Sequence, residues 1–236
     1  MKPVLLLIPG MLNTAAIWRR VTAHIGDAAD IRIANLLTQS TIPEMADDAW
    51  KLVADVLPGT PLVICGFSLG GYTAIEMLTH ASERARQVTA LGLLDTSGRP
   101  ESPEGRVVRE KTIAAIEKNF PKVVEGVLAF GTSPATHGNE ALIQGLREIM
   151  LDAGPEATIR QNRAIMARAD NREKLAMLKI RTLVMCGRDD KITPPDASIE
   201  LAALIPGAQL EWIDNAGHMT PMEQPERVAA LIKTLL

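Results

Sequence analysis

The chain has 236 residues, 47% hydrophobic and 22% charged, with a formal net charge of −3. That is enough for one soluble α/β domain with a sizeable core, and the weak acidity offers no footprint for nucleic acid or another polyanion. Aromatics at 3% supply no stacking platform for bases or sugars, and no apolar run approaches the ~20 residues of a membrane span.

In chain order, residues 4–8 form a continuous apolar run, as expected of a strand covered on both faces of a parallel sheet. A turn at Pro9-Gly10-Met11-Leu12-Asn13 leads into a helix over 15–25, in which Trp18 reads as a packing residue. A second strand is expected at 31–34, then a loop, then a helix over 44–57 stopped by Pro58-Gly59. The third strand ends at Cys65-Gly66-Phe67-Ser68-Leu69-Gly70-Gly71 and a helix follows to residue 80; a fourth strand covers 88–94 and ends at Asp95. Strand–helix alternation then fails. Residues 107–118, 122–130, 140–152 and 156–168 read as four amphipathic helices, punctuated by Pro134, Gly138 and Gly154-Pro155. Alternation resumes with a strand at 182–186, a helix at 196–204, a strand at 209–213 and a last helix opened by Pro225. The expected division is a core of 1–97 and 179–236 with a helical lid of 98–178 over the C-terminal sheet edge, where open α/β sheets bind ligands.

Chemistry concentrates at Ser68. Strand, sharp turn and helix, with glycine two residues either side of a serine, make a nucleophile elbow. The turn lifts the hydroxyl above the strand end and aims the Leu69 N–H, at a helix N-terminus, toward a developing oxyanion. A serine nucleophile needs a base and a carboxylate to orient it. Of four histidines, His24, His80 and His137 lie on helices or in a lid loop, and His218 alone follows a strand tip. The acids at strand ends are Asp95, Asp189 and Asp190.

Gly66-Phe67-Ser68-Leu69-Gly70-Gly71, Gly187-Arg188-Asp189-Asp190 and Asn215-Ala216-Gly217-His218 together resemble the three signatures of the α/β-hydrolase superfamily, in its chain order of serine, acid and histidine. The resemblance covers nearly the whole chain and is weakest over the lid. It implies a mostly parallel six-stranded sheet, reduced at its N-terminus because the family's opening hairpin is missing. It makes Ser68 the nucleophile, His218 the base and Asp190 the acid, with Asp189 pointing to solvent or to its own turn. It places the second oxyanion donor at the Met11 N–H. The chain departs from the family where Pro9-Gly10 replaces a His-Gly pair, losing the hydrogen bonds of that histidine, and in the loop Asn35 to Ser40.

The expected activity is hydrolysis of a small, largely apolar carboxylic ester through an acyl-Ser68 intermediate. The apolar lid residues Val127, Leu128, Phe130, Ile149, Met150 and Met166 suggest the apolar group, while Arg106, Arg109, Lys111, Lys118 and Lys122, interleaved with glutamates, read as a solvated face. Serine excludes the aspartate-nucleophile branches of the superfamily. The same triad also serves C–C bond hydrolysis, cofactor-free perhydrolysis, acyl transfer and lyase chemistry, and the fold can serve as a non-catalytic ligand receptor. No G-x-G-x-x-G, P-loop, CxxC or Cys/His metal spacing occurs, so no cofactor or metal is expected. Cys65 and Cys186 read as buried free thiols, and with no signal-peptide pattern a cytoplasmic location is expected.

Overall fold

A computed structural model describes residues 1–80 and 83–236. Six strands, β1 (Val4–Ile8), β2 (Asp30–Ile33), β3 (Leu62–Phe67), β4 (Val88–Leu94), β5 (Arg181–Gly187) and β6 (Gln209–Ile213), form one sheet in the order β2-β1-β3-β4-β5-β6. Every pairing is parallel, as the apolar runs of the inner strands β1, β3, β4 and β5 predict for strands buried on both faces. The strand alternation sorts side chains to two cores. Leu5, Leu7, Val63, Cys65 and Phe67 face one, and Leu6, Ile8, Leu62 and Ile64 face the other.

On the second face lie α2 (Ile42–Lys51), α3 (Leu69–Thr79) and α8 (Pro195–Leu204), through residues such as Met45, Ala74 and Leu201. On the first lie α1 (Arg19–Ile25) and, beyond the short α9 (Thr220–Glu223), α10 (Pro225–Lys233). Between β4 and β5 the chain inserts α4 (Pro103–Gly131), α5 (Glu140–Ala153), α6 (Pro155–Ala167) and the short α7 (Arg172–Leu175). Ile116, Val124, Leu146 and Met150 of this insert join the same apolar cluster as Leu12 and Trp18.

Three local differences have physical causes. The predicted helix at 15–25 begins as a 3-10 turn over Ala15–Trp18, capped by the Thr14 side chain, and Trp18 is fully buried there. The helix predicted to start at 44 begins two residues earlier, because Thr41 accepts from the Glu44 N–H (3.2 Å) while the Glu44 carboxylate accepts from Ser40 (2.7 Å). The two predicted helices at 107–118 and 122–130 run on as α4, broken at Asn119 (φ −161°, ψ 85°). The Asn119 side chain accepts from the Lys122 N–H at 3.1 Å, recapping the second half, and Pro121 sits in its first turn where no N–H is needed.

The strand order reverses between β1 and β3. The crevice beyond the C-terminal ends of those two strands is where a doubly wound sheet takes a ligand. The turn after β1 carries Met11, and the turn after β3 carries Ser68.

Candidate active site

Ser68 stands at the junction of β3 and α3 with φ 52° and ψ −115°, a conformation costing about 1–3 kcal/mol that the surroundings must hold. Its N–H donates to Leu94 O (2.9 Å), and its carbonyl accepts from the Thr96 hydroxyl (2.8 Å). The glycines are required by contact. A Cβ at Gly66 would lie 2.2 Å from Gly70 O, and one at Gly70 would lie 2.2 Å from Ile8 O. The second contact shows that the elbow is pressed onto the end of β1. A Cβ at Gly10 would in turn meet Ser68 Cβ at 3.1 Å.

His218 reaches Ser68 from the loop after β6: its Nε2 lies 2.9 Å from Ser68 Oγ, and its Nδ1 lies 2.8 Å from Asp190 Oδ2. Asp190 is fixed by its own loop. Its Oδ1 accepts from the N–H groups of Ile192 (2.8 Å) and Thr193 (3.0 Å), and its Oδ2 also accepts from the Thr193 hydroxyl (2.8 Å). Burial pushes this carboxyl up, but the His218 charge and these hydrogen bonds outweigh burial and hold it below the usual range. An ionised carboxylate behind a histidine, with a serine hydroxyl in front, is an arrangement that can take the hydroxyl proton.

The histidine loop is braced by Glu223, which sequence reasoning passed over. Its Oε1 accepts from the N–H groups of Gly217 (2.9 Å) and Met219 (3.1 Å), and its Oε2 accepts from Ser133 N–H and the Thr136 hydroxyl, both at 2.7 Å. His218 N–H donates to Gly131 O at 2.7 Å. The end of α4 and the histidine loop are thus tied directly together. Asp189 belongs to the same seam. It was expected to point to solvent or its own turn; instead its Oδ2 accepts from the Ser133 hydroxyl at 2.6 Å.

Asp95 is fully buried with a φ of 47°. Its Oδ1 accepts from Gly187 N–H at 2.8 Å, and Oδ2 is bonded to the Thr220 hydroxyl. Burial first, and the charge of Asp190 second, push its carboxyl well above the usual range. Above an unperturbed pKa of ~3.9 the unfolded chain has lost this proton while the folded chain keeps it, so stability falls as pH rises toward the raised value. Asparagine mimics the protonated acid and tolerates positive φ. Asp95→Asn should therefore be at least as heat-stable as the parent at about pH 8, with the gap in Tm closing toward about pH 5. Thermal scans across that range check the sign.

A cavity of about 300 Å³ opens over Ser68 and His218, at the small end of ligand pockets. Met11 and Leu12 line it from the β1 turn, Val127 and Ile165 from the insert, and Ile192 and Met219 from the acid and histidine loops. Leu69 is fully buried at the start of α3, directly after Ser68. Of the six apolar insert residues expected to shape the pocket, Val127 alone is among its lining residues. Leu128, Ile149 and Met150 are spent on the core, and Phe130 is 55% exposed. The solvated-face reading holds for Arg106, Lys111, Lys118 and Lys122 but not for Arg109, which lines the cavity with Glu101 and Arg168. The available signal was periodicity: Arg109 stands four and seven residues before the buried Ile113 and Ile116, on their face of the helix.

His24, His80 and His137 are exposed, away from the cavity. Cys65 and Cys186 are buried and unpaired, each thiol pushed by burial to about 12. Cys186 lies with Asp95 and Asp190 in a cluster of possible ligand atoms. A protonated thiol and two carboxylates already engaged in hydrogen bonds make a poor cation site. Among the described residues no helix is long and apolar enough to cross a membrane.

Residues 5–231 match the sequence profile of the Alpha/beta hydrolase family. A pimeloyl-[acyl-carrier protein] methyl ester esterase of Nitrosomonas europaea is 24% identical over 99% of this chain and 95% of its own length. The AB hydrolase superfamily protein YisY of Bacillus subtilis is 31% identical over 80% of this chain and 70% of its own. A solved structure of a thermophilic esterase from Thermogutta terrifontis superposes with a TM-score of 0.86 at 28% identity, covering 98% of this chain and 88% of that one. The enol-lactonase of Burkholderia xenovorans superposes equally well, at 0.86 and 20% identity over 100% of this chain and 91% of that one, a likeness of fold. With the sheet and the family profile both spanning almost its full length, the chain belongs to the alpha/beta hydrolase family.

Proposed function

We propose that the enzyme hydrolyses small carboxylic esters through an acyl-Ser68 intermediate. The continuous relay from Asp190 through His218 to Ser68, opening on a cavity, carries the reading, and the esterases among the relatives support it. His218 Nε2 takes the Ser68 proton as Oγ attacks the acyl carbon. The oxyanion that forms is received by the N–H groups of Met11 and Leu69, on the two turns that the crevice brings together. His218 then gives the proton to the departing alkoxide, the C–O bond breaks and the alcohol leaves. Water, deprotonated by the same nitrogen, releases the acid and restores Ser68. Asp190 keeps the Nδ1 proton in place and stabilises the imidazolium.

In this reading the insert of residues 98–178 is a lid that sets substrate size. Val127→Phe should shift preference toward shorter acyl chains, by ~1–3 kcal/mol per methylene excluded. A p-nitrophenyl ester series from acetate to octanoate measures it, and an unchanged profile would place the acyl pocket elsewhere. Steady turnover of p-nitrophenyl acetate and butyrate tests the function itself; saturable binding without turnover would make the protein a receptor.

A further inference from the structure

The cavity lining also holds four charged side chains that ester hydrolysis does not require, Arg99, Glu101, Arg109 and Arg168. The Glu101 side chain, 11% exposed, accepts from Arg109 Nε and from Arg168 Nη1 (3.3 Å). Arg168, 9% exposed, also donates from Nε to Arg99 O and from Nη1 to Ile165 O, both at 2.9 Å, and its guanidinium lies 4.5 Å over the Tyr72 ring. Arg109 Nη1 donates to Asn162 Oδ1 at 3.1 Å. Both guanidinium groups are held rigidly, yet among the described residues neither Nη2 makes a hydrogen bond, and neither is a buried atom without a partner.

In the inner cluster the two guanidinium groups share the single carboxylate of Glu101. Arg99, at the same cavity, is already paired with Asp196 (2.9 Å) and Glu200 (2.6 Å). The two carboxylates on Arg99 balance the charge of the whole cluster, so the inner pair offers a ligand its unbonded donors rather than a net charge. A planar, two-oxygen anion fits the open guanidinium edges, the geometry in which arginine pairs with a carboxylate.

We propose that the cavity takes an ester that also carries a free carboxylate, received by the Nη2 edges of Arg109 and Arg168. This rests on the ester-hydrolase reading and narrows it. Hydrolysis of such a substrate adds water across the ester and yields an alcohol and an acid, one of which keeps the second carboxylate.

The test is a ratio of kcat/KM values within matched pairs of substrates. With the carboxylate on the acyl side, p-nitrophenyl hydrogen adipate is compared with p-nitrophenyl hexanoate. With it on the alcohol side, 4-carboxyphenyl butyrate is compared with its neutral methyl ester at the ring carboxyl, scored for butyrate release. The expected result is a preference of about tenfold or more for the anion in one arm, the scale of a charge-assisted hydrogen bond. Arg109→Met and Arg168→Met should each reduce that ratio, whereas Glu101→Gln, which removes the competing carboxylate, should raise it. A merely structural cluster would lower both members of a pair alike and leave the ratio fixed. The parent enzyme's ratio stands on its own should a variant fail to fold. Turnover of the neutral esters with ratios near one in both arms would overturn this proposal and leave the hydrolase reading standing. No turnover of any ester would remove both.

Discussion

Ser68→Ala is expected to lose about six orders of magnitude in kcat, on the scale seen when the nucleophile of a serine-protease triad is removed. The hydroxyl is the only group on the β3–α3 turn placed 2.9 Å from His218 Nε2, and the neighbouring Leu69 is an apolar side chain turned into the core. Alanine keeps the Cβ and adds no bulk, so the positive-φ backbone and its contacts to Gly10 are unchanged. The loss should fall on kcat with little effect on Tm. Steady-state kinetics on p-nitrophenyl butyrate with a parallel thermal scan separates a lost nucleophile from a lost fold. Retention of more than a few per cent of turnover would move the chemistry off Ser68.

Asp190→Asn is expected to cost about 10⁴ in kcat, and the hydrogen bonds around the acid say why. The Ile192 and Thr193 N–H groups both point at Oδ1. They demand an acceptor, so the asparagine must put its carbonyl oxygen there and its NH₂ where Oδ2 was. That NH₂ faces His218 Nδ1, 2.8 Å away in the parent, and donates to it. The ring proton is then driven to Nε2, and the nitrogen facing Ser68 can no longer accept. Asp189→Asn changes one end of a bond to Ser133, and Asp95→Asn replaces an acid whose neutral form burial favours with its neutral analogue. Both should cost far less activity. A crippling Asp95→Asn beside a mild Asp190→Asn would put the acid on the wrong strand.

The parts of this site that were legible in the sequence are those fixed by local contact. Glycines at 66 and 70 are demanded by backbone atoms within 2.2 Å, so the elbow announces itself in six residues. The four inner strands were legible because burial on both faces leaves a nearly unbroken apolar run, whereas the edge strands β2 and β6 carry charged and polar residues and were legible from their place in the strand–helix alternation. The second half of α4 was legible from the apolar stripe of Val123, Val124, Val127 and Leu128, and Asn119 with Pro121 restarts the helix there. What could not be read depends on pairings distant in sequence. Arg168 turns inward because α6 ends there with extended backbone (φ −60°, ψ 142°) and its Nε finds a carbonyl 69 residues away. Glu223 follows the histidine by five positions and looks like an ordinary first-turn acid. Its role as a brace appears only once the end of α4 lies against the histidine loop. The aliphatic residues of the insert misled for the converse reason: helical periodicity says that a face is buried, not whether it meets the core or the cavity.

Covalent trapping shows directly whether Ser68 carries the acyl group. The enzyme is treated with a p-nitrophenyl alkylphosphonate, digested, and mapped by peptide mass spectrometry. The expected result is one adduct per chain on the peptide containing Ser68, loss of activity in step with labelling, and no adduct in Ser68→Ala. Stoichiometric labelling of another residue, or inactivation with Ser68 unmodified, would contradict it.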